Sequence, residues 1–142
     1  MKKVALLLLI TLCWSCSVDD GPGDNFSFEI VPIATVETPE TLVANDVNRI
    51  EFTYNLQSSC HSYNDLYYIE NGNQRTIAVV NLVTDTNEVG GECQPLTDVI
   101  DERGFDFFAP PGFSSVVFNF WQGQDENGQD VYLTMEIPVG PQ

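Results

Sequence analysis

The sequence predicts an all-β domain, an antiparallel sandwich of about seven strands. Two observations carry that expectation. From Phe26 onward, apolar and polar residues alternate with period two, and turn-forming residues recur about every eight to twelve positions. No stretch of that region shows a convincing amphipathic helix.

The expected strands are Ser27–Val36, Asn48–Leu56, Leu66–Glu70, Arg75–Thr84, Phe105–Ala109, Ser114–Gln122 and Asp130–Val139. In the second, Ile50, Phe52, Tyr54 and Leu56 fall on one face, with Arg49, Glu51 and Thr53 on the other. That is the pattern of a sheet with one dry and one wet face. Thr76–Val83 is apolar on both faces, which predicts a central strand. Asn71-Gly72 is expected to close the Tyr67–Arg75 hairpin, and Pro110-Pro111-Gly112 to separate two strands. Asn127-Gly128, read as a two-residue turn, pairs Glu126 with Gln129. That register sets Phe120 against Met135, Phe118 against Ile137 and Val116 against Val139. On the other face it sets Trp121 against Thr134 and Asn119 against Glu136. Strands of this number, joined in hairpins, fit an immunoglobulin-like sandwich over residues 26–142.

Residues 1–15 read as a signal peptide. Lys2 and Lys3 supply its positive end, and Val4–Leu12 is an apolar run too short for a membrane-spanning helix, which needs about 20 residues. Residues 16–25, rich in Gly, Pro and acids, read as a flexible tether. Leu12-Cys13-Trp14-Ser15-Cys16 resembles a bacterial lipobox. The resemblance implies cleavage before Cys16, a diacylglyceryl thioether on its sulfur and an acylated new amino terminus. A plain secretory leader is the alternative. Asp19-Asp20, just past that cysteine, resembles the surface-export signal of Bacteroidota lipoproteins.

A wider resemblance rests on Ile50-Glu51-Phe52-Thr53-Tyr54 leading to Cys60, on Arg75-Thr76-Ile77-Ala78-Val79, and on Phe118–Gly123 followed by Asp125–Gly128. With these the chain is similar to small Bacteroidota lipoproteins bearing an Ig-like β-sandwich. The resemblance implies a fold and a location at the outer membrane, lipid-anchored and open to display on the cell surface. It implies no catalytic residue.

Charge narrows the partners. Cleavage at Cys16 would leave Arg49, Arg75 and Arg103 against 21 acidic residues, a net charge of −18. Nucleic acids would be repelled, and an anionic bilayer would not attract the domain, so the lipid on Cys16 is the expected membrane contact. With Cys13 in the leader, Cys60 and Cys93 remain as an expected disulfide between loops.

Chemistry-bearing residues are few. His61 stands beside Cys60, but a disulfide-bonded Cys60 offers no thiolate, and zinc at Cys60, His61 and Cys93 lacks a clear fourth ligand. Among so many acids no glycosidase pair stands out. Asp125, Asn127 and Asp130 flank Gly128 without EF-hand spacing, so calcium and a plain turn both remain open. The expectation is a protein without enzymatic activity, metal or cofactor. Trp121 and Tyr132 are the better lead, because both fall opposite Phe118 and Phe120 as a flat platform suited to a glycan or protein ligand. Tyr63, Tyr67 and Tyr68 could form another. For Trp121 itself, packing beneath a neighbouring loop or the amino-terminal segment is the expectation, and the open platform its alternative.

Overall fold

The computed structural model describes residues 25–86 and 90–140. The expected signal peptide, Cys16 and most of the expected tether lie outside the described residues. The domain is all-β, with two sheets packed over one core. Its strands are β1 (Phe26–Val31), β2 (Ile33–Glu37), β3 (Leu42–Val43), β4 (Val47–Asn55), β5 (His61–Asn71), β6 (Gln74–Thr84), β7 (Ile100–Phe108), β8 (Ser115–Gln124) and β9 (Asp130–Gly140). The small sheet is β2-β4-β7. In the large sheet β6 is central. It pairs with β5 along one side, and on the other with β1 at residues 79–84 and β8 at residues 74–77.

The core follows from the alternation. Ile50, Phe52 and Tyr54 of β4 face Ile77 and Val79 of β6 and Val116, Phe118 and Phe120 of β8, all essentially inaccessible to water. The Phe107 ring meets Phe118 edge-on at 5.0 Å, an arrangement that puts the positive edge of one ring on the negative face of the other.

The first expected strand is broken in two. Pro32 has no N–H to give to a ladder, so β1 leaves the large sheet there and the chain enters the small sheet as β2. Val31 and Ile33, on either side, are both buried. The two residues of β3 are too few to show a period, yet Leu42 is fully buried and pairs with Val139.

The all-antiparallel expectation is corrected: the large sheet is mixed. β8 runs parallel to β6, and β3 runs parallel to β9. Hairpin signals report only strands adjacent in sequence. β7 crosses to the other sheet between β6 and β8, so the chain returns alongside β6 in its original direction.

The β8–β9 register differs from the expected one by two residues. Phe118 pairs with Met135, Phe120 with Leu133 and Val116 with Ile137. On the opposite face Trp121 pairs with Tyr132 and Asn119 with Thr134. Of Asn127 and Gly128 only the glycine has positive φ, 74°. The loop is therefore a three-residue one, a turn closed by Gly128 N–H donating to Asp125 O, rather than the two-residue turn that needs positive φ twice. A bulge between Trp121 and Gly123 supplies the second residue of shift. An even shift keeps each side chain on its face, so the division into core and outer residues survives. The β5–β6 turn is likewise displaced. Asn71 pairs with Gln74, leaving Gly72, at φ 60°, and Asn73 as the loop.

Cys60 and Cys93 form the expected disulfide, with Cα atoms 5.4 Å apart. Backbone hydrogen bonds Ser59 N–H to Gln94 O and Leu96 N–H to Gln57 O join the same two loops.

Candidate functional site

A groove of about 310 Å3 lies on the outer face of the large sheet. Its floor is Thr76 and Ala78 of β6, the outward alternates of buried Arg75, Ile77 and Val79. Tyr67 stands directly across from Ala78 on β5, while Trp121 and Tyr132 face each other across β8 and β9. Ile30 of β1 forms the end wall. Three aromatic rings from three strands thus converge over one small-residue floor.

Asp130 fixes the indole. Its Oδ1 accepts the Trp121 Nε1–H at 3.0 Å and the Gln124 amide at 3.2 Å. The ring is thereby held with its polar edge satisfied and its flat apolar surface toward the groove. Loss of water around Tyr132, then the Asp130 carboxylate and Tyr67, push the Tyr132 hydroxyl above its ordinary pKa. The bulge at Gln122 turns Trp121 relative to a regular strand, and bulges commonly re-aim side chains in this way.

The Trp121 and Tyr132 pair expected from sequence is therefore brought together, as direct cross-strand neighbours, with Trp121 half-buried rather than shielded. The three tyrosines of β5 do not act together. Tyr67 joins the groove, and Tyr63 sits between the sheets against Tyr54, with the Arg103 guanidinium 5.0 Å from its ring. Tyr68 faces a separate depression beside Arg75.

Asp125 and Asn127 serve the turn. Asp125 Oδ1 accepts the backbone N–H groups of Asn127 and Gln129 at 2.8 and 2.9 Å, which hold its carboxyl below the usual carboxylate range. Asp130, the third residue weighed for calcium, is directed to Trp121 instead. Among the described residues no group of three or more His, Cys, Asp or Glu side chains is placed to hold a metal ion.

Two arrangements were not visible in the sequence. Ser58 Oγ lies 2.7 Å from His61 Nδ1, and His61 Nε2 lies 2.9 Å from Glu29 Oε2. This has the connectivity of a nucleophile, base and orienting acid. The peptide N–H groups beside it are committed, however: Cys60 to Ser58 Oγ, Ser59 to Gln94 O and His61 to Ser58 O. None of these three is left to receive an oxyanion, which such chemistry needs. The second arrangement is Arg75, only 1% exposed. Its Nη1 donates to Gly72 O and Gln74 O at 2.8 Å, its Nη2 meets Glu70 at 3.2 Å, and its charge lies 5.7 Å from the Phe107 ring. It clasps the β5–β6 turn from within.

Known proteins supply no relative. No family model, no curated protein and no solved structure matches the chain. The groove must be read from its own chemistry.

Proposed function

We propose that the chain is a non-catalytic binding lipoprotein, exported and lipid-anchored through Cys16 at the outer membrane. Its Ig-like sandwich holds a glycan in the groove of Tyr67, Trp121 and Tyr132. One observation carries the reading: three outward aromatic rings surround a polar hub, Asp130, that already orients one of them. A pyranose ring has an apolar face of C–H groups and a rim of hydroxyls. Stacking on an indole or phenol buries the first, and carboxylate, amide and phenol groups at the rim receive the second. The small floor residues Thr76 and Ala78 leave room for a ring between the aromatic walls. The lipobox resemblance and the acidic, Gly-containing residues 16–25 support a tethered module.

A glycan array with the wild-type chain and Trp121→Ala tests the reading. Binding to at least one glycan, lost in Trp121→Ala with an unchanged thermal melt, is the expected outcome. Absence of any Trp121-dependent signal removes it.

A further inference from the structure

The polarity of β1 is inverted. Phe26, Phe28 and Ile30 point outward and are 44%, 60% and 46% exposed, while Ser27 and Glu29 share the face of buried Val31. In a sheet with one dry face, the apolar alternates belong inside. A one-residue slip would correct the pattern, but the register is pinned. Ile30 pairs with Val80, Phe28 with Leu82 and Phe26 with Thr84, and Glu29 is tied to His61 on β5 at 2.9 Å. The fold gains nothing from two phenylalanines in water, so their exposure asks for an occupant.

Position names it. Ile30 is the end wall of the aromatic groove, and Phe28 and Phe26 follow from it along the same face at about 6.6–6.8 Å per pair of residues. The two rings meet edge to face, centroids 5.6 Å apart with planes at 73°. Their outward partners on β6, Val80, Leu82 and Thr84, are half-buried and continue the strip begun by Ala78.

Charge limits the ligand. Arg49 is paired with Asp106, Arg103 with Asp101, and Arg75 is buried against Glu70. None of these three cations lines the groove or β1, and Asp130 is the groove's one charged side chain. A uronate or sulfated chain would meet a carboxylate there with no counter-charge.

We infer that the groove continues along β1 as an extended lane for a linear, uncharged polysaccharide, with Phe28 and Phe26 stacking sugar units beyond those held by Trp121. This rests on the glycan reading above and specifies the ligand and the residues that measure its length. Isothermal titration of the full chain with cello-, manno- and malto-oligosaccharides of two and six units tests it, with hexagalacturonate as the acidic probe. At least one neutral hexasaccharide should bind about five- to tenfold more tightly than its disaccharide, a gain of the size of one aromatic contact. Phe28→Ser should abolish that gain and leave disaccharide binding and the melt unchanged, whereas Trp121→Ala should weaken both lengths. A length gain that survives Phe28→Ser overturns the lane while leaving the groove standing. Phe28→Ser that instead converts a dimer to a monomer, with the gain intact, assigns the face to a second copy and also overturns it. Tighter binding of hexagalacturonate overturns the uncharged class. Loss of Trp121-dependent binding at every length removes the glycan reading itself.

Discussion

Gly123 joins the fold to the groove, and replacing it with alanine separates their contributions. Its φ is +106°, a region that residues with a Cβ rarely enter. An added Cβ would sit 3.5 Å from Pro32 Cγ, an ordinary contact, so sterics contribute little and backbone strain dominates. Such strain costs about 1–3 kcal/mol, and the stiffer unfolded chain adds about 0.4–1 kcal/mol to what unfolding must overcome only where alanine fits without strain. Gly123→Ala should therefore lose about 1–3 kcal/mol in urea unfolding followed by far-ultraviolet circular dichroism. At this domain size that is roughly 4–12 °C in Tm. The bulge that aims Trp121 ends at Gly123, so glycan affinity should fall with stability. Gly128→Ala is the control: φ is +74°, no atom lies within 4 Å of its Cβ, and Gly128 does not line the groove. It should cost about 1–2 kcal/mol and leave affinity unchanged. If Gly123→Ala costs under about 0.5 kcal/mol while Gly128→Ala behaves as expected, the bulge does not depend on that backbone conformation, and the explanation of Trp121's placement fails.

Other perturbations read other parts of the molecule. Replacing Cys60 and Cys93 together with serine opens a loop spanning a separation of 33 residues and should cost about 3–4 kcal/mol in urea; a loss under about 1 kcal/mol would assign the loops' closure to their four backbone partners instead. Asn81 is fully buried with neither amide atom partnered, so Asn81→Leu should raise stability by about 1–3 kcal/mol, and a drop would show that the amide is satisfied. Burial alone would raise the Asp101 carboxyl, but the Tyr54 hydroxyl at 2.6 Å and the Arg103 guanidinium outweigh it and hold the pKa low. A depressed folded pKa gives stability present above the unfolded value of about 3.9 and lost as pH falls through the folded value. Between those two values the loss of stability with falling pH should be shallower in Asp101→Asn than in wild type, and identical slopes would refute the assignment. Cys16→Ser should release the chain from membrane fractions or leave it with its leader uncut; wild-type behaviour would replace the lipoprotein with a plain secreted domain.

Period two was enough to place β4, β6, β8 and β9 and their faces, because each buried residue of β4, from Asn48 to Tyr54, sits two from the next. It was not enough for pairings. Register depends on where φ turns positive, and one sequence, Asn127-Gly128, is compatible with a two-residue turn or with the three-residue loop that forms. Trp121 and Tyr132 were legible as a pair because a two-residue slip moves neither off its face. Tyr67 was not, since its approach to Trp121 runs through the parallel pairing of β6 with β8, which no adjacent-strand signal encodes. Arg75 entered the sequence reading in the net charge and as the first residue of a strand. Its burial depends on turn carbonyls that accept from it only once Gly72 has closed the loop.

The groove's location has a structural cause. β1 and β8 share one side of β6, β1 at residues 79–84 and β8 at 74–77, so neither can continue through the other. β1 escapes by crossing to the small sheet at Pro32, and β8 by bulging at Gln122, and Gly123 approaches the Pro32 ring where they pass. A regular sheet would present a flat row of alternates there. At this seam two strands end their pairing with β6, and Ile30 and Trp121 line the groove from that side of β6 while Tyr67 faces Ala78 from the other. The same irregularity that interrupts the ladder thus opens the concavity, which is why substitutions at Pro32 or Gly123, neither of which lines the groove, are expected to change what it holds.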